Sequence, residues 1–236
     1  MIYSNNMKAI ILVGGEGTRL RPLTYATVKA MVPILNKPFI EHVINYLQSH
    51  RITDIVLAMG YKPDTIKQYF DNHRQAKDLI YSVEEKPMGT AGAVKYAEHY
   101  INDTFFVFNG DIFCDIDLTA MLLFHRSKKA AATIALTPVE DPSQFGVIEI
   151  ADNQLVKQFI EKPKKEEAPG NMINAGVYIL EPELLSSIPQ GQHCMFENHV
   201  FPNLIRDGKP FYAYVDETAY WIDAGNPRKY SQLNWD

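Results

Sequence analysis

The stretch "LVGGEGTRLRPLT", residues 12–24, closes an apolar run (residues 9–13) and places three glycines, two arginines and one proline in thirteen positions. Glycine lets backbone N–H groups come close to an anion, and arginine adds charge-matched donors. The pattern points to a phosphate-holding loop behind a strand. Spacing excludes two common loops of that kind. A dinucleotide fingerprint fails because Leu20 stands where the third glycine should follow Gly15 and Gly17, and no G-x-x-x-x-G-K-[ST] string occurs.

The chain has 236 residues, 46% of them hydrophobic and 22% charged, enough for a sizeable core. A net charge of −5 speaks against a general nucleic-acid binder, so phosphate binding must rest on locally placed Lys and Arg or on a divalent ion. Cys114 and Cys194 fit neither a disulfide framework nor a zinc spacing. No apolar run approaches the ~20 residues of a membrane span. The start, "MIYSNNMKAIILVGG", lacks the charged segment and long apolar stretch of a signal peptide. A cytoplasmic protein with no membrane partner is expected, and a homo-oligomer stays open.

Short apolar runs at residues 9–13, 55–59, 79–83 and 105–108 alternate with helical spacings. Ile40, Val43, Ile44 and Leu47 recur at such a spacing; so do Ile66, Tyr69 and Phe70, behind Pro63. Asp117 is a candidate cap for a helix burying Leu118, Met121, Leu122 and His125, with His125 a hydrogen-bonded packing residue. The second half is richer in strands: "FGVIEI", "LVKQFI", "NAGVYIL", "FYAYV" and "AYWID". The expected fold is α/β, with a mostly parallel, mixed sheet covered by helices on both faces in a Rossmann-like arrangement. One domain over 1–236 is expected, with a nucleotide half to about residue 115 and a second half from about 116 folded onto it. Ligands of such sheets sit beyond the carboxyl ends of the strands. That rule selects the loop 14–29 and the turn 109–111.

The string G-x-G-T-R-L-x-P-L-T, Gly15 to Thr24, followed by Lys29, resembles the signature of the sugar-nucleotide pyrophosphorylases, which are sugar-1-phosphate nucleotidyltransferases. "GTAGAV", "FNGDIF", "FGVI", "FIEKP", "INAGVYIL" and "YWIDAGNPRKY" follow in the family's order across roughly residues 7–230. The resemblance implies a nucleotide site at Leu12, Gly14, Gly15, Gly17, Thr18, Arg19, Glu85, Gly89, Thr90, Asn109 and Gly110. It implies sugar contacts at Gly146, Glu161 and Asn174, and Lys162 at the sugar phosphate. Asp111 and Asp223 match the family's metal-binding aspartates, for Mg²⁺ or Mn²⁺. Arg19, Lys29, Asp111, Lys162 and Asp223 are the expected catalytic set. One departure stands out: the family shows P-K-P around the lysine, whereas this chain has Val28-Lys29-Ala30. Plainer roles compete: a turn at Asp111, a helix cap at Asp223, a solvated charge at Arg19 or Lys29.

The family's reaction explains these residue types. A sugar 1-phosphate oxygen attacks the α-phosphorus of a nucleoside triphosphate, and pyrophosphate leaves in line. Both reactants are polyanions, so cations and a divalent ion held by carboxylates must offset their repulsion. The nucleophilic oxygen is already ionised at neutral pH, and no base is required. Glu84 and Glu85 in "VEEKPMGTAG" offer acceptors to guanine's N1–H and N2–H₂, and a similar acidic run marks the mannose-1-phosphate guanylyltransferases. GTP and mannose 1-phosphate are the expected substrates. Glucose-1-phosphate uridylyl- or thymidylyl transfer and heptose-1-phosphate guanylyl transfer remain alternatives. So do a glycosyltransferase, which would have no use for a triphosphate loop, and a non-catalytic regulatory relative, which would be expected to have lost part of the set. Many such guanylyltransferases continue into a left-handed β-helix. The chain given ends at Asp236, and both a stand-alone catalytic domain and part of a longer protein stay open.

Overall fold

The run Lys-Ala-Ile-Ile-Leu forms strand β1 (Lys8–Leu12), whose three central residues are fully buried because both faces of its sheet are covered. The computed structural model describes residues 7–72 and 79–235; residues 1–6, the first part of the stretch expected to lack a signal peptide, and Asp236 lie outside them. The other strands are β2 (Pro33–Ile34), β3 (Lys37–Pro38), β4 (Asp54–Met59), β5 (Leu79–Val83), β6 (Phe105–Asn109), β7 (Ile112–Cys114), β8 (Ala132–Pro138), β9 (Gly146–Ile150), β10 (Val156–Glu161), β11 (Met172–Leu180), β12 (Phe211–Val215) and β13 (Trp221–Asp223). The helices are α1 (Phe39–Ser49), α2 (Pro63–Asp71), α3 (Gly89–Tyr96), α4 (Leu118–Lys128), α5 (Phe201–Arg206) and α6 (Pro227–Leu233).

Among the described residues, nine strands share one mixed sheet in the order β10-β9-β11-β6-β1-β4-β5, with β8 against β11 and β12 against β8. β6, β1, β4 and β5 run parallel, and β11 joins β6 antiparallel. From β1 the chain winds to β4 on one side and later to β6 on the other. Winding reverses there, and the crevice opens beyond the carboxyl ends of β1 and β6. The sheet crosses the boundary expected near residue 115 without interruption, because β11 of the second half pairs directly with β6 of the first.

Alternate side chains of the central strands enter two apolar layers. Ala9, Ile11, Ile55 and Leu57 pack with the helices α1, α2 and α4; Ile10, Val56, Phe105 and Val107 pack with α3 and α5. α1 buries Ile40, Val43, Ile44 and Leu47, and α2 buries Ile66 and Phe70, as their spacing predicts. Asp117 caps α4 by accepting the Ala120 N–H at 2.9 Å. Strand β8 was not anticipated. Its first six residues are buried without polar alternation, so periodicity cannot separate it from a core helix. No helix of the described residues is long and apolar enough to cross a membrane.

His125 is a packing residue with both ring nitrogens engaged. Nδ1 lies 2.8 Å from the Thr133 hydroxyl and Nε2 3.0 Å from Glu181, which also accepts from Thr104 at 2.8 Å. Burial is the larger influence on its pKa, which is lowered despite Glu181. The ring ties α4 to β8 and to the chain leaving β11. His125→Ala strands these partners beside a cavity and should cost about 2–4 kcal/mol in urea unfolding. Ligand affinity of the folded fraction should remain unchanged.

Candidate active site

Beyond β1 and β6 lies a cavity of about 340 Å³. Of the expected nucleotide residues, Leu12, Gly14, Gly15, Gly89, Thr90, Asn109 and Gly110 line it, together with Lys29 and Asp111. Gly110 donates its N–H to the Leu12 carbonyl at 2.9 Å. A β-carbon there would fall 2.5 Å from the Leu12 oxygen, so only glycine permits the two loops to meet.

Gly17, Thr18 and Arg19 are not in the cavity wall. Gly17 has φ +66° and presses against the Lys29 stem, where an added β-carbon would lie 2.8 Å from Cβ of Lys29. The Thr24 hydroxyl donates to its carbonyl at 2.7 Å. Its part is to seat the loop on the lysine. Val28 and Ala30 are both buried, so apolar anchors on either side hold Lys29 without the family's prolines.

A short ladder joins two segments more than a hundred residues apart. β13 pairs antiparallel with β7, setting Asp223 opposite Ile112, and the Ala224 N–H donates to the Asp111 carbonyl at 3.1 Å. Both aspartates thereby reach one point. Lys29 Nζ stands 2.6 Å from Asp111 Oδ2 and 3.6 Å from Asp223 Oδ1. Burial is the largest cause raising the pKa of Asp223, and Asp111 adds to it; Lys29, Arg19 and Lys229 oppose it. Gly225 leaves room here: an added β-carbon would meet Asp223 at 2.6 Å and Arg19 Nη2 at 3.1 Å. The helix cap weighed for Asp223 falls to Asn226, whose side chain accepts the Lys229 N–H at 3.0 Å.

At another part of the wall, the structure separates the two neighbouring glutamates. Glu85 is exposed and is not in the wall of this cavity, while Glu84 is. β5 ends at Val83, and Glu84 turns back toward the sheet by donating its N–H to the Met59 carbonyl at 2.9 Å. Its Oε2 accepts the Met88 N–H at 3.2 Å, and burial raises its pKa against that bond and His193. His193 and Met195 come from a segment that the sequence did not mark. The Cys194 carbonyl accepts the N–H groups of Ala91 and Gly92, both at 3.0 Å, clamping that segment onto the first turn of α3. Gly89, at φ +75°, makes the clamp possible; an added β-carbon would lie 2.6 Å from that carbonyl oxygen.

None of the expected sugar residues is in the cavity wall; Glu161 and Lys162 act on Glu197, which is bonded to Thr90 of the wall. Gly146 pairs with Glu161 across β9 and β10, and a β-carbon at Gly146 would strike the Phe159 ring at 2.4 Å. Lys162 takes φ +47° and places Nζ 3.1 Å from Glu161. Asn174 is partly committed: it accepts the Gly176 N–H and donates to the Tyr178 hydroxyl, each at 2.8 Å. Glu197 was missed. It accepts from Thr90 at 3.0 Å, and its pKa is raised chiefly by burial and further by Glu161. It belongs to a π-helical turn (Phe196–Val200) with no motif to announce it.

Fold and site together define an α/β protein in which a glycine-rich loop and an aspartate pair meet at one lysine. The chain belongs to the nucleotidyl transferase family, whose sequence profile matches residues 8–236. It is 41% identical over 233 residues to the mannose-1-phosphate guanyltransferase of Saccharomyces cerevisiae, covering 95% of this chain and 63% of that protein. With the mannose-1-phosphate guanylyltransferase of Mycobacterium tuberculosis it shares 39% over 230 residues, covering 96% of this chain and 63% of that protein. The chain thus spans under two thirds of the length of these relatives. The crystal structure of HddC from Yersinia pseudotuberculosis complexed with GMP-PN superposes with a TM-score of 0.82 at 30% identity, covering 97% of this chain and 98% of that one.

The clamp at α3 yields a direct test. Gly89→Ala strains a positive-φ residue and pushes on the Cys194 carbonyl, costing about 1–3 kcal/mol. Amide exchange at Ala91 and Gly92 should accelerate more than exchange in β1 or β6.

Proposed function

We propose that this chain joins a nucleoside triphosphate to a sugar 1-phosphate with release of pyrophosphate, and that GTP and mannose 1-phosphate are the pair it uses. The observation that carries this reading is the meeting of Lys29 with Asp111 and Asp223, at 2.6 and 3.6 Å, on the rim of a cavity walled by the glycine loop. The names of the relatives support the choice of both substrates, and the GMP-PN complex of the structural relative supports the guanine nucleotide.

In this reading Arg19 and Lys29 bind the triphosphate and stabilise the departing pyrophosphate. Lys162, with Glu161 beside it, orients the sugar phosphate. One of its oxygens forms a bond to the α-phosphorus as the bond from that phosphorus to the β-phosphate bridge breaks. No proton leaves the nucleophile, and no thiol is called for; burial pushes the Cys114 pKa up to about 11. Asp111 and Asp223 would hold Mg²⁺ or Mn²⁺. Two carboxylates, one with a buried Oδ1 lacking a hydrogen-bond partner, suit a hard cation, and among the described residues no cluster of three protein ligands forms. Such an ion, when bound, offsets phosphate charge in the transition state.

Glu84 is the group assigned to the base. A half-buried carboxylate gains from donors, and guanine's pairing edge supplies two. Gly60 lies against it: an added β-carbon would sit 2.6 Å from Glu84 Oε1, a flexible side chain that can yield.

Pyrophosphate release should be measured with Mg²⁺ across four nucleoside triphosphates and the 1-phosphates of mannose, glucose and a heptose. Signal confined to GTP and mannose 1-phosphate is expected; preference for UTP or dTTP would overturn the role of Glu84, and a folded but silent protein would overturn the reaction. Asp111→Asn should lower turnover about 10²–10³-fold with unchanged melting, since its side chain is a partly exposed loop carboxylate. Glu84→Gln should reduce kcat/KM for GTP by about 10–100-fold, the worth of a hydrogen bond to a charged group. Gly60→Ala should act in the same direction by displacing that carboxyl group.

A further inference from the structure

The ammonium of Lys29 stands between the two carboxylates assigned to a metal. Its side chain is only 13% exposed, and it lies closer to Asp111 than most surface ion pairs reach. The stem is fixed at its base, with Gly17 packed on Cβ and Val28 and Ala30 buried on either side. The far end is long and unbranched, so Nζ can swing while its anchors remain in place. Lys29 also lines the cavity, as Asp111 does, so a second position for Nζ facing a bound ligand is within the reach of the stem.

We infer that Lys29 is a placeholder cation: in the free protein it neutralises Asp111 and Asp223 and disfavours a divalent ion, and an arriving triphosphate frees the pair by drawing the ammonium onto its phosphates. The inference rests on the assignment of these aspartates and this loop made under the proposed function. Charge supplies the reason. An ammonium and a divalent cation repel one another strongly at such short separations, so both cannot share the same oxygens. The triphosphate gives Lys29 a new partner and brings oxygens to complete an ion's coordination. Metal and nucleotide then strengthen each other's binding, and the coupling is reciprocal. Neither the glycine loop nor the aspartate pair alone would produce that order; the lysine links them.

Mn²⁺ binding to the full chain, followed by its paramagnetic resonance signal without nucleotide, tests this independently of turnover. Wild type should bind weakly. Lys29→Met and Lys29→Gln should each bind about ten-fold tighter, because a positive charge near the site is removed, and Lys29→Arg should stay close to wild type. Adding Asp111→Asn to Lys29→Met should cancel the gain. The inference is overturned if both neutral variants, folded by circular dichroism, bind no tighter than wild type, or if the gain survives Asp111→Asn. A measurement on the unaltered chain guards against misfolded variants: the Lys29 ¹⁵Nζ resonance should move when inorganic tripolyphosphate is added without metal and hold still with millimolar Mg²⁺ alone. The opposite pattern sinks the idea. Failure of the substrate grid would instead strike the proposed reaction and leave these binding results standing.

Discussion

Asp111 and Asp223 are drawn together by a three-residue ladder, and two carboxylates held that close repel each other. The arrangement around them answers that repulsion. Burial makes it harder still, since it raises the pKa of Asp223 in the same direction as its neighbour does. Three cations act on Asp223 from three elements: Arg19 from the glycine loop, Lys29 from the turn after it, and Lys229 from α6. Lys229 is itself steadied over two rings, 5.2 Å from the Phe145 centroid and 5.7 Å from that of Trp221. The glycine loop, the acidic turn and the last helix are therefore one electrostatic unit, although the sequence separates them by two hundred residues.

Strand β11 brings the second half of the chain to the same place. Up to Asn174 it runs beside β8 with a contact to β9; from Val177 it pairs with β6 and again with β8, and the register shifts in between. Gly176 makes the bend, with φ +73° and the Asn109 side chain packed where a β-carbon would go. The loosened carbonyl of Ala175 accepts the Trp221 indole N–H at 2.9 Å, tying the bend to the strand that carries Asp223. One irregularity in a buried strand thus joins the sheet's two halves exactly where the crevice needs a floor, and it explains why Asn174 spends part of its hydrogen-bonding capacity on its own strand.

Much of this was legible in the sequence because its signals are local. The parallel strands showed as apolar runs, α1 and α2 as helical spacings, and α4 through Asp117. The loop, the turn at Asp111 and the stretch at Asp223 had fixed spacings that could be matched. The missed elements lack such local marks. β8 is apolar on both faces, and β7 is three residues long and makes sense only against β13. Glu84 and Glu85 are chemically identical neighbours, and the choice between them is made by the turn that leaves β5 and by the Met88 N–H, neither of which is a pattern. His193, Met195 and Glu197 enter the site through a carbonyl clamp on α3, a contact across about a hundred residues.

That clamp also bears on how a nucleotide would lie. A helix N-terminus after a glycine is an obvious phosphate site, because its first N–H groups are free and its dipole favours anions. At α3 two of those groups are already bonded to Cys194, so phosphate has little to gain there. Lys29 lines the same cavity beside Asp111, on segments other than α3. Within the proposed function, the phosphates then belong with Lys29 and the base with Glu84, while Thr90 in the wall reaches Glu197, on which Glu161 and Lys162 act. Within that reading, where the phosphates lie follows from the helix terminus that the protein has half-occupied with its own carbonyl and from the lysine it has left in the cavity wall.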